Sequence, residues 1–539
     1  MWAARRHDDP SVSARVAISR FMRVPIRIGG SDLHAKAELP RPALSLKQAA
    51  IYPIVSRPRT WPGALDILQT DEVECMRRFM IVGIAALLLV SLAAHANPPE
   101  PQQDTAQQAL AAWLAAFNDA DGDALHAVRE KYGMRPNRVA DLEFRKDTGA
   151  LQVLEARPGT AGTAKVLVLP SVNDRAMLVT ASVDPTSGAT ALQFEGAETP
   201  PRFAPKRLPE ATLLAEAKAR LDALQASDEV AGAFLVARNG EVRMQWQGGR
   251  EDRERVLAVS ADTRFRLASL NKMFTAVAIL QLEQAGKLTL DDSLGKHLPT
   301  YPNRAVADAV TLRQLLNHTS GLGDIFGEKA SSNAAALRTL HDYWAVFADE
   351  PLAFPPGSKD QYSNYAYILL GSVIEAVSGQ SYYDYVDTHI YRVAGMAGTG
   401  SLPESTPVPA RANAYTRVDG KWTLETASLP WRGTSAGGGY STVGDLLKFG
   451  EALRTGKLLP PAVLATATAP QNTMAWYGYG FMVRGQGRER LYGHEGGAPG
   501  ANAVFYVLPE QGYVLVGLSN VDPEAMGNVV NFVANRLPL

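Results

Sequence analysis

Ser269-Leu270-Asn271-Lys272-Met273-Phe274-Thr275-Ala276-Val277-Ala278-Ile279-Leu280 sets a serine and a lysine three residues apart at the start of an apolar helix. That spacing puts the ammonium on the same helix face as the hydroxyl, one turn along, where it can perturb the hydroxyl or accept its proton. Taken alone, the pair is better explained by a capping serine and a snorkelling lysine. Two later stretches matter for the weighing. Tyr362-Ser363-Asn364 sits just before a second apolar helix marked by Tyr365, Ile368, Leu369, Val373, Ile374 and Val377. His494-Glu495-Gly496, followed by Gly497, ends a strand that begins at Arg490. Singly, a tyrosine at a helix entry packs and a histidine beside glycines marks a turn; the three motifs in this order are harder to dismiss.

Outward from these motifs the pattern predicts an α+β fold. A helix over residues 211–226 precedes a hairpin of residues 233–237 and 242–246 turned by Asn239-Gly240, the strongest short hairpin signal. A long helical block follows, and strands return only over residues 490–493, 504–508 and 513–518, before a closing helix over residues 523–536. Strands at both ends of the segment imply one antiparallel sheet flanked by the terminal helices, with a separate helical lobe and a cleft between.

Serine-x-x-lysine at a helix start, tyrosine-x-asparagine at a helix entry and histidine-x-glycine on a late strand make residues 210–539 resemble the class C β-lactamase and serine D-Ala-D-Ala carboxypeptidase family. Leu315-Leu316-Asn317-His318-Thr319-Ser320-Gly321-Leu322, Gly438-Gly439-Tyr440-Ser441-Thr442 and Asp291-Asp292 after Gly286-Lys287-Leu288 look like further stretches of it. The resemblance implies a β-lactamase/transpeptidase-like sheet and a serine hydrolase acting through an acyl-enzyme on an amide, ester or β-lactam carbonyl. Ser269 would be the nucleophile, with Lys272 and Tyr362 sharing the base role. A serine hydroxyl is too weakly acidic to react unaided, and a nearby ammonium lowers a tyrosine pKa. Asn364 would hold Lys272 and the substrate amide. The N–H groups of Ser269 and Gly497 would form the oxyanion hole, Gly497 supplying close backbone approach beside Gly496. The departure is His494, where the β-lactamases place lysine: a mostly neutral imidazole grips a substrate carboxylate weakly, which puts efficient β-lactam hydrolysis in doubt. A slowly acylated penicillin-binding sensor or scaffold is the alternative.

Another serine competes. Gly433-Thr434-Ser435-Ala436-Gly437 fits G-x-S-x-G, with Asp445 and His494 following in α/β-hydrolase order. That elbow needs a strand before it and a helix after it, whereas Pro430-Trp431-Arg432 precedes and Gly438-Gly439 follows. Tyr301-Pro302-Asn303 also fits tyrosine-x-asparagine but lacks the following helix, and His318 reads as a loop brace.

Upstream, Met76-Arg77-Arg78, an apolar run over residues 79–94 and Ala94-His95-Ala96 read as a secretory signal cut after Ala96. Met76 is therefore the expected start, residues 1–75 a disordered upstream extension, and the product exported to the periplasm or beyond. Residues 97–195 predict a small α+β domain: helical periodicity over residues 104–133 broken at Asp119-Ala120-Asp121-Gly122-Asp123, then four short strands over residues 151–157, 164–170, 176–183 and 190–195. It resembles the NTF2-like modules found ahead of some bacterial hydrolase domains, and is a candidate surface for a protein partner. Residues 196–209, with four prolines, form the linker.

Composition narrows the functions. At 539 residues the chain holds more than one domain, and its formal charge of -1 lacks the basic footprint of a nucleic-acid binder. The single Cys75 excludes an internal disulfide, a four-thiolate zinc site and an iron–sulfur cluster. No metal or other cofactor is expected, and the partner is a small-molecule or peptidoglycan-derived substrate.

Overall fold

The computed structural model describes residues 101–136 and 138–539, so the expectations for residues 1–96 lie outside the described residues. Three helices, α1 (Pro101–Asn118), α2 (Gly122–Lys131) and α3 (Arg138–Thr148), precede a four-stranded antiparallel sheet in sequential order. Its strands are β1 (Leu151–Arg157), β2 (Thr163–Pro170), β3 (Met177–Val183) and β4 (Thr190–Gly196). The acidic break ends α1 and starts α2: Asp121 caps α2 by accepting the N–H groups of Asp123 and Ala124. Trp113, Phe117, Leu125, Val168 and Val179 fill the core between helices and sheet. Helix α3 adds to the sequence expectation. Its inner face carries Asp141, buried in an ion pair with Arg129, so part of the signal that normally betrays a helix is charged instead of apolar.

The proline-rich stretch is tied down. Leu208 N–H donates to the Arg536 carbonyl at 2.9 Å, and the Arg207 guanidinium reaches the Ala534 and Leu537 carbonyls.

Beyond it lie α4 (Glu210–Ala226), β5 (Gly232–Arg238) and β6 (Glu241–Gly248). Asn239 and Gly240 both take positive φ, 52° and 82°, as the tight hairpin turn requires. Helices α5 (Asn271–Gln284) and α6 (Asn364–Ser378) carry the middle segment. The chain closes with β7 (Met482–Arg484), β8 (Leu491–Ala498), β9 (Ala501–Leu508), β10 (Tyr513–Ser519) and α7 (Ala525–Ala534). The six strands form one antiparallel sheet in the order β7-β8-β9-β10-β5-β6, and Tyr513 opposite Arg238 through Ser519 opposite Gly232 joins the late strands to the early hairpin. The expected sheet built from both ends is the sheet observed.

Both faces are covered, which is why β5, β9 and β10 read as continuous apolar runs. Phe234, Val236, Tyr506 and Leu515 point to α4 and α7, while Ala233, Leu235, Phe505 and Val516 point to α5 and the helical lobe. Helix α5 is buried on every side from Asn271 to Leu280. Cutting one of its large side chains such as Phe274 to alanine costs about 3–5 kcal/mol. That burial fixes the frame from which Ser269 and Lys272 project.

Candidate active site

Ser269 lies on a single 3-10 turn, Ala268–Leu270, that leads directly into α5, and Lys272 follows in the first turn of the helix. The Lys272 side chain is fully buried. Its Nζ donates to Ser269 Oγ at 3.2 Å, to Asn364 Oδ1 at 2.6 Å and to the Ala436 carbonyl, so all three ammonium protons have acceptors. Burial pulls this amine down to about 7, against the opposing influence of the Asp324 carboxylate. A lysine in that range is half deprotonated near neutral pH and can take a proton from the serine it touches.

Asn364 is the first residue of α6. Ser363 caps that helix, accepting the Ala366 N–H at 3.0 Å while donating to the Gly323 carbonyl at 2.6 Å. The Asn364 amide donates onward to Asp324 Oδ1 at 2.8 Å. Burial holds the Asp324 carboxyl above the ordinary carboxylate range, although the Asn364 bond and Lys272 pull the other way. Asp324 escaped the sequence reading because a lone loop aspartate offers no spacing.

Tyr362 packs its ring against Lys272, whose Nζ lies 4.7 Å from the ring centroid. His318 braces it from behind. The His318 carbonyl accepts the Gln361 N–H at 2.9 Å, its Nδ1 accepts the Ser363 N–H at 3.2 Å, and its ring lies 4.2 Å from that of Tyr362. The two hydrogen bonds clamp the backbone on either side of Tyr362, which is the loop brace expected from the sequence. Because Nδ1 accepts, the imidazole carries its proton on Nε2, and burial keeps it neutral.

The structure brings His494 to the same site but denies it the expected grip on a carboxylate. The residue is fully buried on β8. Its Nδ1–H donates to the Glu495 carbonyl at 2.6 Å, and Nε2 accepts the Tyr477 hydroxyl at 2.8 Å. Burial and, after it, Lys272 push its pKa down to about 3. A neutral ring with both nitrogens engaged offers a substrate anion nothing. Tyr477 sits in an aromatic–glycine cluster, Trp476-Tyr477-Gly478-Tyr479-Gly480, whose composition was the available signal.

Close backbone approach is seen at Gly496. A Cβ on Gly496 would lie 2.5 Å from the Leu267 carbonyl oxygen and 3.0 Å from the Ser269 nitrogen, so only glycine lets β8 pass this near the serine turn. Gly497 pairs with Asn502 on β9.

The G-x-S-x-G stretch has a different use. Asn271 Nδ2 donates to the Thr434 carbonyl at 2.5 Å, Thr275 Oγ1 to the Ser435 carbonyl at 2.7 Å, and Lys272 to the Ala436 carbonyl. Three successive carbonyls thus collar the start of α5. Ser435 Oγ is buried and has no hydrogen-bond partner among the described residues, so no base activates it. The Tyr362 ring packs against His318, tilted at 37°, and against Trp476, stacked at 28°.

Residues 217–537 match the family described as Beta-lactamase. Penicillin-binding protein 4* of Bacillus subtilis (strain 168) is 29% identical over 313 residues, which cover 54% of this chain and 68% of that protein. Esterase EstB of Burkholderia gladioli is 32% identical over 311 residues, covering 50% of this chain and 77% of the esterase. Among solved structures, the penicillin binding protein from Bacillus halodurans superposes with a TM-score of 0.53 at 32% identity, over 57% of this chain and 96% of that one. The small N-terminal α+β unit lies outside the matched residues.

Proposed function

This chain belongs to the β-lactamase family and is a serine hydrolase of that type, and from that premise we propose that Ser269 is acylated by an ester or amide whose binding needs no carboxylate anchor. One observation carries the reading: a buried amine lowered to about 7 has Ser269 Oγ among its hydrogen-bond partners. In its neutral form Lys272 accepts the hydroxyl proton as Oγ bonds to the carbonyl carbon. The backbone N–H groups of Ser269 and Gly497 receive the developing oxyanion. The proton then passes to the leaving oxygen or nitrogen, past Tyr362, and water releases the acyl group by the reverse path. The neutral, doubly engaged His494 supports a neutral acyl donor over a carboxylate-bearing β-lactam, and the similarity to an esterase points the same way. An exported location, with cleavage after Ala96, belongs to the same proposal and rests on residues 76–96 alone.

A small activated ester tests it on the full chain. We expect repeated turnover that Ser269→Ala abolishes, with kcat/KM for the neutral ester exceeding that for a penicillin. A stoichiometric burst followed by a stable adduct would identify the slowly acylated sensor instead.

A further inference from the structure

The catalytic half of β8 is held from one side. Strand β7 pairs with β8 only from Leu491 to Gly493, so from His494 to Ala498 the ladder continues through β9 alone, and the free edge faces the Ser269 turn. Side chains alternate along this segment. His494 points toward Tyr477 and the helical lobe, and Glu495 points to the opposite face, toward Tyr506 of β9 and α7. Glu495 is where the N-terminal unit reaches in. Arg175, on the loop between β2 and β3, donates from Nη2 to Glu495 Oε1 at 2.9 Å, and the Tyr506 hydroxyl donates to the same oxygen. The Glu495 side chain is only 11% exposed. The neighbouring Asp174 binds both Arg536 Nη groups, at 2.6 and 2.8 Å, and Asn535 Nδ2 at 3.0 Å, which seats the loop on the residues that directly follow the last helix. A small cavity lined by Arg175, Glu495, Asn502 and Asn531 marks the junction.

We propose that Arg175 is a positioning residue for acyl transfer, through which the N-terminal α+β unit holds the strand bearing Gly496 and Gly497 in place against Ser269. The cation ties down Glu495, which lies within the segment that lacks a second neighbouring strand and directly precedes Gly496. A unit outside the matched family region therefore acts on the reaction without touching the substrate. The inference rests on the acylation of Ser269 proposed above. The groups facing Glu495 are Arg175, Arg484 of β7, Tyr506 of β9, Asn531 of α7 and, further off, Glu524. Burial pushes the Glu495 carboxyl up, and Arg175 leads the contributions that bring it below its ordinary value.

Steady-state hydrolysis of the activated ester by the full chain tests the proposal. Arg175→Ala is expected to lower kcat by about tenfold or more while KM stays within about threefold, because displaced oxyanion donors weaken the transition state more than the bound ground state. Arg175→Lys should recover a large part of the loss. Arg175→Ala combined with Glu495→Gln should be no worse than Arg175→Ala alone, since the two residues act as one pair. Arg202→Ala, in a surface ion pair with Glu155, should leave kcat unchanged. Folded Arg175→Ala with kcat within about twofold of wild type overturns the proposal. Should that variant fail to fold, Glu495→Gln with unchanged kcat overturns it equally. A wild-type chain that never acylates defeats the Ser269 reading instead, which keeps the two failures apart.

Discussion

Lys272 donates to Asn364 Oδ1 at 2.6 Å, and because the same amide side chain donates to Asp324, a single asparagine links the buried amine to a buried carboxylate. The serine is thus the outer end of a line of four polar groups. Asp324 favours the protonated amine by its charge, burial disfavours it, and burial dominates. The balance sets the pH at which the amine becomes a base.

For the acylation step, kcat/KM should rise as pH increases through about 7, the value at which Lys272 gives up its proton, and level off above it. Asp324→Asn removes the influence that raises the amine's pKa, so the rising limb should move to lower pH. A pH–rate series on a neutral ester checks both. An unmoved limb in Asp324→Asn would remove Asp324 from the proton balance.

The two serines should part cleanly. Ser269→Ala should abolish labelling by a serine-directed acylating probe, whereas Ser435→Ala should label normally. Ser435 Oγ is a buried hydroxyl with no partner among the described residues. Its removal should leave stability unchanged or raise it by about 1 kcal/mol, read from denaturant unfolding.

Much of this was legible because the chemistry lies in short, ordered motifs and because strands buried on both faces read as unbroken apolar runs. The Asn239-Gly240 turn announced its hairpin, and the apolar repeat of α5 announced the helix that orients Ser269 and Lys272. A second hairpin, Tyr415–Val418 with Lys421–Leu424, was announced as plainly by Asp419-Gly420, both at positive φ, yet its short half-exposed strands carry little alternation. What stayed hidden is what only folding brings together. The carbonyls of residues 434–436 have no side-chain signature, so G-x-S-x-G resembled a nucleophile elbow when it is a collar. The neutrality of His494 comes from burial and, after it, from Lys272, which lies far away in the chain. Arg175 and Glu495 are 320 positions apart, beyond any local pattern.

Acid should unfold this protein through its buried imidazoles. His494 has a pKa of about 3 when folded against 6.5 ordinarily, so it takes up a proton on unfolding between those limits, and burial holds His318 low in the same direction. The His494 contribution to stability is complete above pH 6.5 and is lost as pH falls toward 3, at about 1.4 kcal/mol per pH unit, and His318 adds to the loss in the same direction. Stability measured between pH 7 and 4 should therefore fall less steeply in His494→Gln than in wild type. Parallel slopes would mean that His494 is protonated in the folded state.

Gly496→Ala should disable the enzyme while leaving it folded. The added methyl would meet two backbone atoms, the Leu267 oxygen at 2.5 Å and the Ser269 nitrogen at 3.0 Å, and neither can swing aside as a side-chain tip could. Strand β8 has no second strand beyond Gly493, so it yields by moving away from the serine turn without breaking the sheet. Moving it separates the N–H of Gly497 from that of Ser269, and a displacement near 1 Å costs about a hundredfold in rate, or about 2.7 kcal/mol of transition-state stabilisation. Stability should change far less, because the pairing with β9 survives. Gly444→Ala is the matched control, since a Cβ there meets Thr442 Oγ1 only at 3.8 Å and lies in the helix Val443–Arg454, where alanine is favoured. Comparing kcat and melting temperature for the two variants decides the matter, and full activity in Gly496→Ala would show that the close pass of β8 against Ser269 is dispensable.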